Sequence, residues 1–305
     1  MTSKRPVSAR KYTTLLAHLG AIAVMLAWGT SFLSTKVLMV NGGFTPVEMF
    51  VYRFAGAYLI LLALTWKQIR SNSWRDELTM LLCGVCSGSL YYILENYALQ
   101  LTTTANVSML ASISPLFTTL LMVVFYHMKL KMGVLFGSIT AFIGVVCIIF
   151  SHGESIEFRP AGDLLALSAS LGWAVYTIAI KRITPHYSSL FITRKMFFYG
   201  VLTACPLLFL QNEPYHLQLL FDMSQPQYLL NMGFLVLICS CAGFFLWNEV
   251  MKALGPVSSN NYLYVQPLVT MVAGYFLLGE QIFPLGYLGC VLIIGGLIMA
   301  DKIKK

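Results

Sequence analysis

Arg53 makes the strongest chemical claim in this sequence. It stands seven residues after Pro46, within an apolar stretch that runs to about residue 66. In a helix that places it roughly 10 Å along the axis, well inside a bilayer core about 30 Å thick. A guanidinium at that depth costs about 2.5–3.5 kcal/mol on insertion scales, so it must face a polar cavity or a partner. One reading is a clamp for a substrate carboxylate, which the planar fork of arginine can hold at two points. The other is a contact with Glu48 or with backbone that holds two helices together.

Two further acids interrupt apolar runs, Glu95 and Glu249. Glu249 stands one turn before Lys252, a spacing that suits a local pair. Glu95 has no basic residue four positions on. It either pairs with Lys36 across the bundle or, left desolvated, could carry a coupling proton. Around these charges lie Trp28, Tyr91, Tyr92, Asn96, Trp173, Tyr176, Trp247, Asn248, Tyr262, Tyr264 and Gln266. Apolar walls with a few polar groups suit an amino acid or another amphiphile. The same rings could equally fill gaps between helices or sit in an interfacial belt. Pro115 and Pro267 each lie inside an apolar run, where proline frees a carbonyl and bends the helix; the bend is either a hinge or static.

Enzyme chemistry finds little here. Gly84-Val85-Cys86-Ser87-Gly88 is not a nucleophile elbow, no histidine pair has the spacing of a zinc protease, and no phosphate-binding loop is present. Cys83 and Cys86 are spaced C-x-x-C, without a second pair or a neighbouring histidine to complete a metal site. Neither a cofactor nor a catalytic residue is expected.

The elements that must position these residues are membrane helices. Of 305 residues, 58% are hydrophobic and 10% charged, against roughly 25% charged in a soluble domain. Lipid is the solvent that fits such a chain. Ten apolar runs are long enough to cross, at about 14–39, 46–66, 76–99, 103–126, 132–150, 161–182, 190–210, 228–252, 257–278 and 283–300. The first is too long for the core of a cleaved signal peptide. Turn formers mark the gaps, among them Asn41-Gly42-Gly43, His152-Gly153-Glu154, Asn212-Glu213-Pro214 and Gly255-Pro256.

With the N-terminus in the cytoplasm, the inner segments hold Lys4, Arg5, Arg10, Lys11, Lys67, Arg70, Arg75, Lys129, Lys131, Lys181, Arg182, Arg194, Lys195, Lys252, Lys302, Lys304 and Lys305, which is 17 of 20 basic residues. Arg159 alone falls in an outer loop, whereas Glu154, Glu157, Glu213 and Asp222 are there. This asymmetry predicts a multi-pass protein of the cytoplasmic (inner) membrane with both termini inside. It also accounts for the net charge of +8 without nucleic acid.

The chain repeats itself. A shift of 145 brings Trp28 onto Trp173 and Lys36 onto Lys181. A shift of 152 brings Leu94 onto Leu246, Asn96 onto Asn248, Pro115-Leu116 onto Pro267-Leu268, Thr118 onto Thr270, Gly137 onto Gly289 and Gly144 onto Gly296. Five helices per repeat is an odd number, so the second copy enters from the opposite side. That is the layout of an alternating-access transporter with its site between the halves. The expected organisation is a tail at 1–13, a first repeat at 14–150, a second at 161–300 and a tail at 301–305.

Trp28-Gly29-Thr30-Ser31-Phe32, Arg53-Phe54, Ala253-Leu254-Gly255-Pro256, Gln266-Pro267-Leu268 and Leu278-Gly279-Glu280 carry a resemblance. In their order and spacing the chain resembles the EamA family of the drug/metabolite transporter superfamily, over about residues 14–300. In layout it is most similar to the YddG-type amino acid exporters. The resemblance implies an all-α fold of ten transmembrane helices in inverted five-helix repeats, and passage of amino acids or other small metabolites. One departure is that Tyr126-His127-Met128 stands where the second repeat has Leu-Gly-Glu. The expected function is a secondary transporter, working as an exporter with a small-molecule substrate. A channel, a membrane scaffold and an intramembrane enzyme are the alternatives. Gly133-x-x-x-Gly137 permits close helix contact within the bundle or in a homodimer.

Overall fold

The computed structural model describes residues 7–102, 104–151, 159–211, 214–278, 281 and 283–302. Lys4, Arg5, His152, Gly153, Glu154, Glu157, Asn212, Glu213, Gly279, Glu280, Lys304 and Lys305 lie outside them. Helices, joined by short turns and loops, are the regular structure of the described residues, with no strand among them.

Among the described residues eight helical spans are long and apolar enough to cross a membrane: Thr14–Asn41, Pro46–Leu64, Trp74–Ala98, Asn106–Tyr126, Met132–Phe150, Pro160–Ile183, Ser189–Leu210 and Pro226–Leu254. A ninth apolar helix, Pro284–Ala300, is shorter. The remaining run expected from sequence, near 257–278, is not one long helix. It is broken into α-helix Pro256–Asn260, a 3₁₀ turn Asn261–Tyr264, α-helix Val265–Ala273 and a π-turn Gly274–Leu278.

The α-helices are α1 (Val7–Lys36), α2 (Pro46–Leu64), α3 (Trp74–Gly84), α4 (Leu90–Leu101), α5 (Thr104–Ala111), α6 (Ser114–Tyr126), α7 (Met132–Phe150), α8 (Pro160–Ile183), α9 (Ser189–Leu210), α10 (Pro226–Phe234), α11 (Gly243–Leu254), α12 (Pro256–Asn260), α13 (Val265–Ala273) and α14 (Pro284–Lys302). Local chemistry sets several ends. A capping box of Thr45 and Glu48, with Pro46 in the first turn, starts α2. Ser188 accepts from the Phe191 N–H to start α9. Gly255 adopts φ +82°, a backbone that side chains resist, and lets α12 leave α11 at a sharp turn.

Packing follows the repeat. α1 packs on α11 and α13, and its equivalent α8 packs on α4 and α6. α2 packs on its equivalent α9, and α7 on its equivalent α14. The last pair is the tightest. A Cβ on Gly137 would lie 2.5 Å from the Gly296 carbonyl, and one on Gly144 would lie 2.7 Å from that of Gly289. These contacts run α7 antiparallel to α14 and place the glycine seam inside the bundle. A two-fold axis that exchanges antiparallel helices must cut across their length, the inverted relation the odd helix count implied.

The breaks repeat too. A π-turn at Val85–Ser89 joins α3 to α4, and another at Leu235–Ala242 joins α10 to α11. Adding 152 to the first lands inside the second. The bundle is tied across the halves at both ends. At the basic end Lys195 Nζ lies 2.5 Å from Glu77, Tyr199 and Ser71 also hydrogen-bond Glu77, and Tyr187 donates to Asp76 at 2.9 Å. At the other end buried Glu48 accepts from the His216 N–H at 2.7 Å, and Tyr228 donates to the Asn41 carbonyl at 3.0 Å.

Candidate functional site

Five helices meet at the centre, α1, α2, α4, α8 and α11, and each contributes an aromatic ring or a charge placed by sequence alone. Trp28 of α1 touches Trp173 of α8 edge-on at 5.8 Å between ring centroids, and Trp247 of α11 at 5.4 Å. Trp173 continues to Tyr176 at 5.2 Å and to Tyr91 of α4 at 5.7 Å. Tyr91 reaches Tyr92 at 5.4 Å, and Tyr92 reaches Phe54 of α2 at 5.7 Å. The rings form one continuous wall from the middle of the bundle to Arg53, whose guanidinium stacks over Phe54 at 5.1 Å.

Polar bonds pin the wall. The Trp28 indole N–H donates to the Cys239 carbonyl at 2.9 Å, a carbonyl on the second π-turn. Trp173 donates to Asn260 at 3.2 Å, and Asn260 donates to Thr118 at 2.5 Å. Tyr176 and Asn248, both fully buried, meet at 3.2 Å, and Asn248 donates to Thr193. Repeat-matched Trp28 and Trp173 therefore sit on opposite sides of the seam, each held by an acceptor.

Arg53 is buried, at 8% exposed. Its Nε donates to Ser240 Oγ at 2.7 Å. Among the described residues its two Nη groups make no hydrogen bond and it has no carboxylate partner. The pairing with Glu48 is not formed: five residues along a helix turn by about 140°, so the two point to different faces. Glu48 instead binds His216 and Tyr52. Glu95 is half-buried and accepts from Tyr91 at 2.9 Å. Its expected pairing with Lys36 is likewise not formed, because Glu95 turns to Tyr91 one turn back while Lys36 faces outward. Tyr92 lies within electrostatic reach of both Arg53 and Glu95. Glu249 does pair with Lys252, at 3.1 Å, and also accepts from Ser189.

Three expected residues stand apart. Half-buried Asn96 makes no side-chain hydrogen bond among the described residues. Tyr264 packs with Val145 and Ile293 near α7 and α14, and its hydroxyl has no partner among the described residues. Gln266 lies where α13 meets α1: its backbone carbonyl is 3.3 Å from where a Gly29 Cβ would stand, while the Val269 side chain would be only 2.6 Å away. The Trp-Gly pair in α1 is thus explained by a close helix crossing. Pro115 sits in the first turn of α6, after a break from α5, and Pro267 sits just after the 3₁₀ turn that precedes α13.

A small cavity lies beside this wall, lined by Phe50, Phe54, Ser87, Gly88, Phe197 and Phe244 among others, with about 10 Å³ of free volume. That is the scale of a single water. Gly88, at the bend of the first π-turn, has a non-helical backbone.

The sequence profile of the EamA-like transporter family matches residues 15–150 and again residues 160–300. The chain belongs to the EamA-like transporter family. The double match coincides with the two halves related by the glycine seam and the paired π-turns. Among relatives, a Streptantibioticus cattleyicolor protein named "Probable terminal-alkyne amino-acid exporter" is 25% identical over 281 residues, 92% of each chain. An uncharacterized transporter of Archaeoglobus fulgidus is 26% identical, over 92% of this chain and 96% of that one. A WAT1-related protein of Arabidopsis thaliana is 26% identical, over 87% and 73%. A crystal structure at 20% identity superposes with a TM-score of 0.75 over 93% of this chain and 96% of the other, a likeness of fold. As an EamA-like transporter the protein is a multi-pass membrane transporter of small molecules.

Sequence reasoning missed several buried polar residues in and around this candidate site. Ser240 and Asn260 carried no signal, because a lone serine or asparagine in an apolar run is common packing. Arg194 was counted with the inner loops. Ser188 as a helix cap was the available clue, since it puts Arg194 well inside α9, where it is 2% exposed.

Proposed function

We propose that this transporter carries small amphiphilic carboxylates, amino acids foremost, out of the cytoplasm by alternating access. It would cross the inner membrane ten times in two oppositely inserted halves, with both termini inside. The observation that carries the reading is Arg53: a buried cation beside a wall of rings, with its fork unoccupied by protein. An amino acid would place its carboxylate on that fork and its side chain against Tyr92, Trp28 and Trp173. Glu95 then faces the ammonium end or carries a coupling proton. The relative named as an amino-acid exporter supports the same substrate class.

Opening would break one end network at a time, Glu77–Lys195 at the basic end or Glu48–His216 at the other. The helix breaks before Pro115 and Pro267 supply the flexure. Reconstituted proteoliposomes loaded with single amino acids test this. Saturable flux that speeds up when the same amino acid is present on the far side is the expected result. Flux linear in concentration would point to a channel and refute the carrier reading.

A further inference from the structure

We infer that Ser240 positions Arg53 for the substrate carboxylate, as a specificity-determining residue of the pathway. This rests on the reading of Arg53 as the carboxylate site. A guanidinium at the end of a long side chain has many rotamers, and a fork that must meet a carboxylate at two points needs its plane held. Two contacts hold it here. Phe54 covers one face at 5.1 Å, and Ser240 Oγ takes the Nε–H at 2.7 Å. With Nε occupied, the remaining edge of the fork presents its Nη groups as the free donors.

Ser240 can do this because it lies on a π-turn. The wider turn frees backbone from the regular ladder and turns its side chains toward neighbours. The same turn, Leu235–Ala242, offers the Cys239 carbonyl to Trp28. One local distortion therefore orients both the cation and a central ring of the aromatic wall. Ser240 is fully buried, so no bulk water can replace it. The equivalent position in the first π-turn is Gly88, which has no side chain. Only the second half supplies this hydroxyl, and only α2 carries a matching arginine, as Phe198 stands at the corresponding place 145 residues on.

A merely structural serine would satisfy a buried arginine, and its loss would lower stability without altering substrate choice. A positioning serine predicts a change in selectivity. The experiment is proteoliposome uptake of the twenty common L-amino acids and their α-carboxamides by the wild type, Ser240→Ala, Ser240→Thr and Arg53→Gln. We expect Ser240→Ala to raise the apparent KM for the preferred acid about 10–100-fold, the scale of a lost hydrogen bond to a charged group. Its maximal rate should stay within about twofold, its KM for the amide should not move, and Ser240→Thr should restore the acid. Equal loss for acid and amide, an unchanged KM with a lowered thermal midpoint, or failure of Ser240→Thr to rescue would each overturn the inference and leave the Arg53 site standing. If the wild type transports no amino acid saturably, does not prefer acid to amide, or keeps that preference in Arg53→Gln, the carboxylate site itself falls and this inference falls with it. Should Ser240→Ala fail to fold, Ser240→Cys, similar in size and a weaker acceptor, takes its place.

Discussion

At the scale of single residues, the two buried arginines divide by what surrounds the guanidinium. Both Nη groups of Arg194 are saturated: Nη1 donates to the Thr65 carbonyl and hydroxyl at 2.9 Å, and Nη2 to the carbonyls of Gln68 and Ile69 at 2.6 and 3.2 Å. It closes the C-terminal end of α2, where orphan carbonyls and the helix dipole favour a cation. Arg194→Ala should therefore cost stability, about 2–4 kcal/mol for several lost charged hydrogen bonds, read as a lowered thermal midpoint in detergent. The molecules that remain folded should keep their substrate preference. Arg53 has one hydrogen-bond partner in the protein and two idle Nη groups among the described residues. Arg53→Gln should keep the yield of folded protein and lose amino-acid flux by at least about tenfold, the scale of one charge-assisted contact. Poor folding with normal flux per folded molecule would reassign Arg53 to the scaffold.

Elements fail where they are asked to approach or to bend. α7 and α14 come so close at Gly137, Gly144, Gly289 and Gly296 that backbone meets backbone, and lipid offers no hydrophobic drive to replace that packing. Gly144→Leu should lower the thermal midpoint and the yield of monodisperse protein without changing the oligomeric state seen by cross-linking, because the seam is within one chain. The glycine spacing was readable as a close contact; its partner was not, since spacing says nothing of which helix lies opposite. The broken helices tell a similar story. Pro115 and Pro267 announced interruptions, and both interruptions are there. The π-turns were not legible, because Leu235–Ala242 contains ordinary apolar and small residues with no breaker, and the lone Gly88 in Val85–Ser89 does not by itself distinguish a π-turn from close helix packing. Pro267→Ala should slow turnover more than it weakens binding, measured as maximal rate against KM, if flexure at that break limits the cycle.

On the whole molecule, the pairing of α1 with α11 and of α8 with α4 makes each half complete the other's core. Both ends of the seam are tied by contacts that cross between halves. On the proposed alternating-access cycle, opening to a side breaks the tie on that side. The inverted topology has a direct check. In a cysteine-free background, Asn72→Cys and Met223→Cys, both exposed, should react with a membrane-impermeant maleimide from opposite sides of sealed vesicles. Labelling of both from one side would end the two-halves architecture.

What the linear sequence determined by itself is what depends on solvent and on period. Apolar runs of bilayer length, basic residues gathered at alternate gaps, and a self-match at 145 and 152 dictate a membrane bundle in two copies, because lipid tolerates only helices and closed barrels, runs of about 20 apolar residues make helices, and topology follows charge. Tertiary structure alone decided who answers whom. Arg53 meets Ser240, 187 residues away; Glu48 meets His216; Trp173 meets Asn260. Each partner is a polar residue unremarkable in its own segment, and it acquires a role only when packing removes water and leaves a polar group that needs a partner.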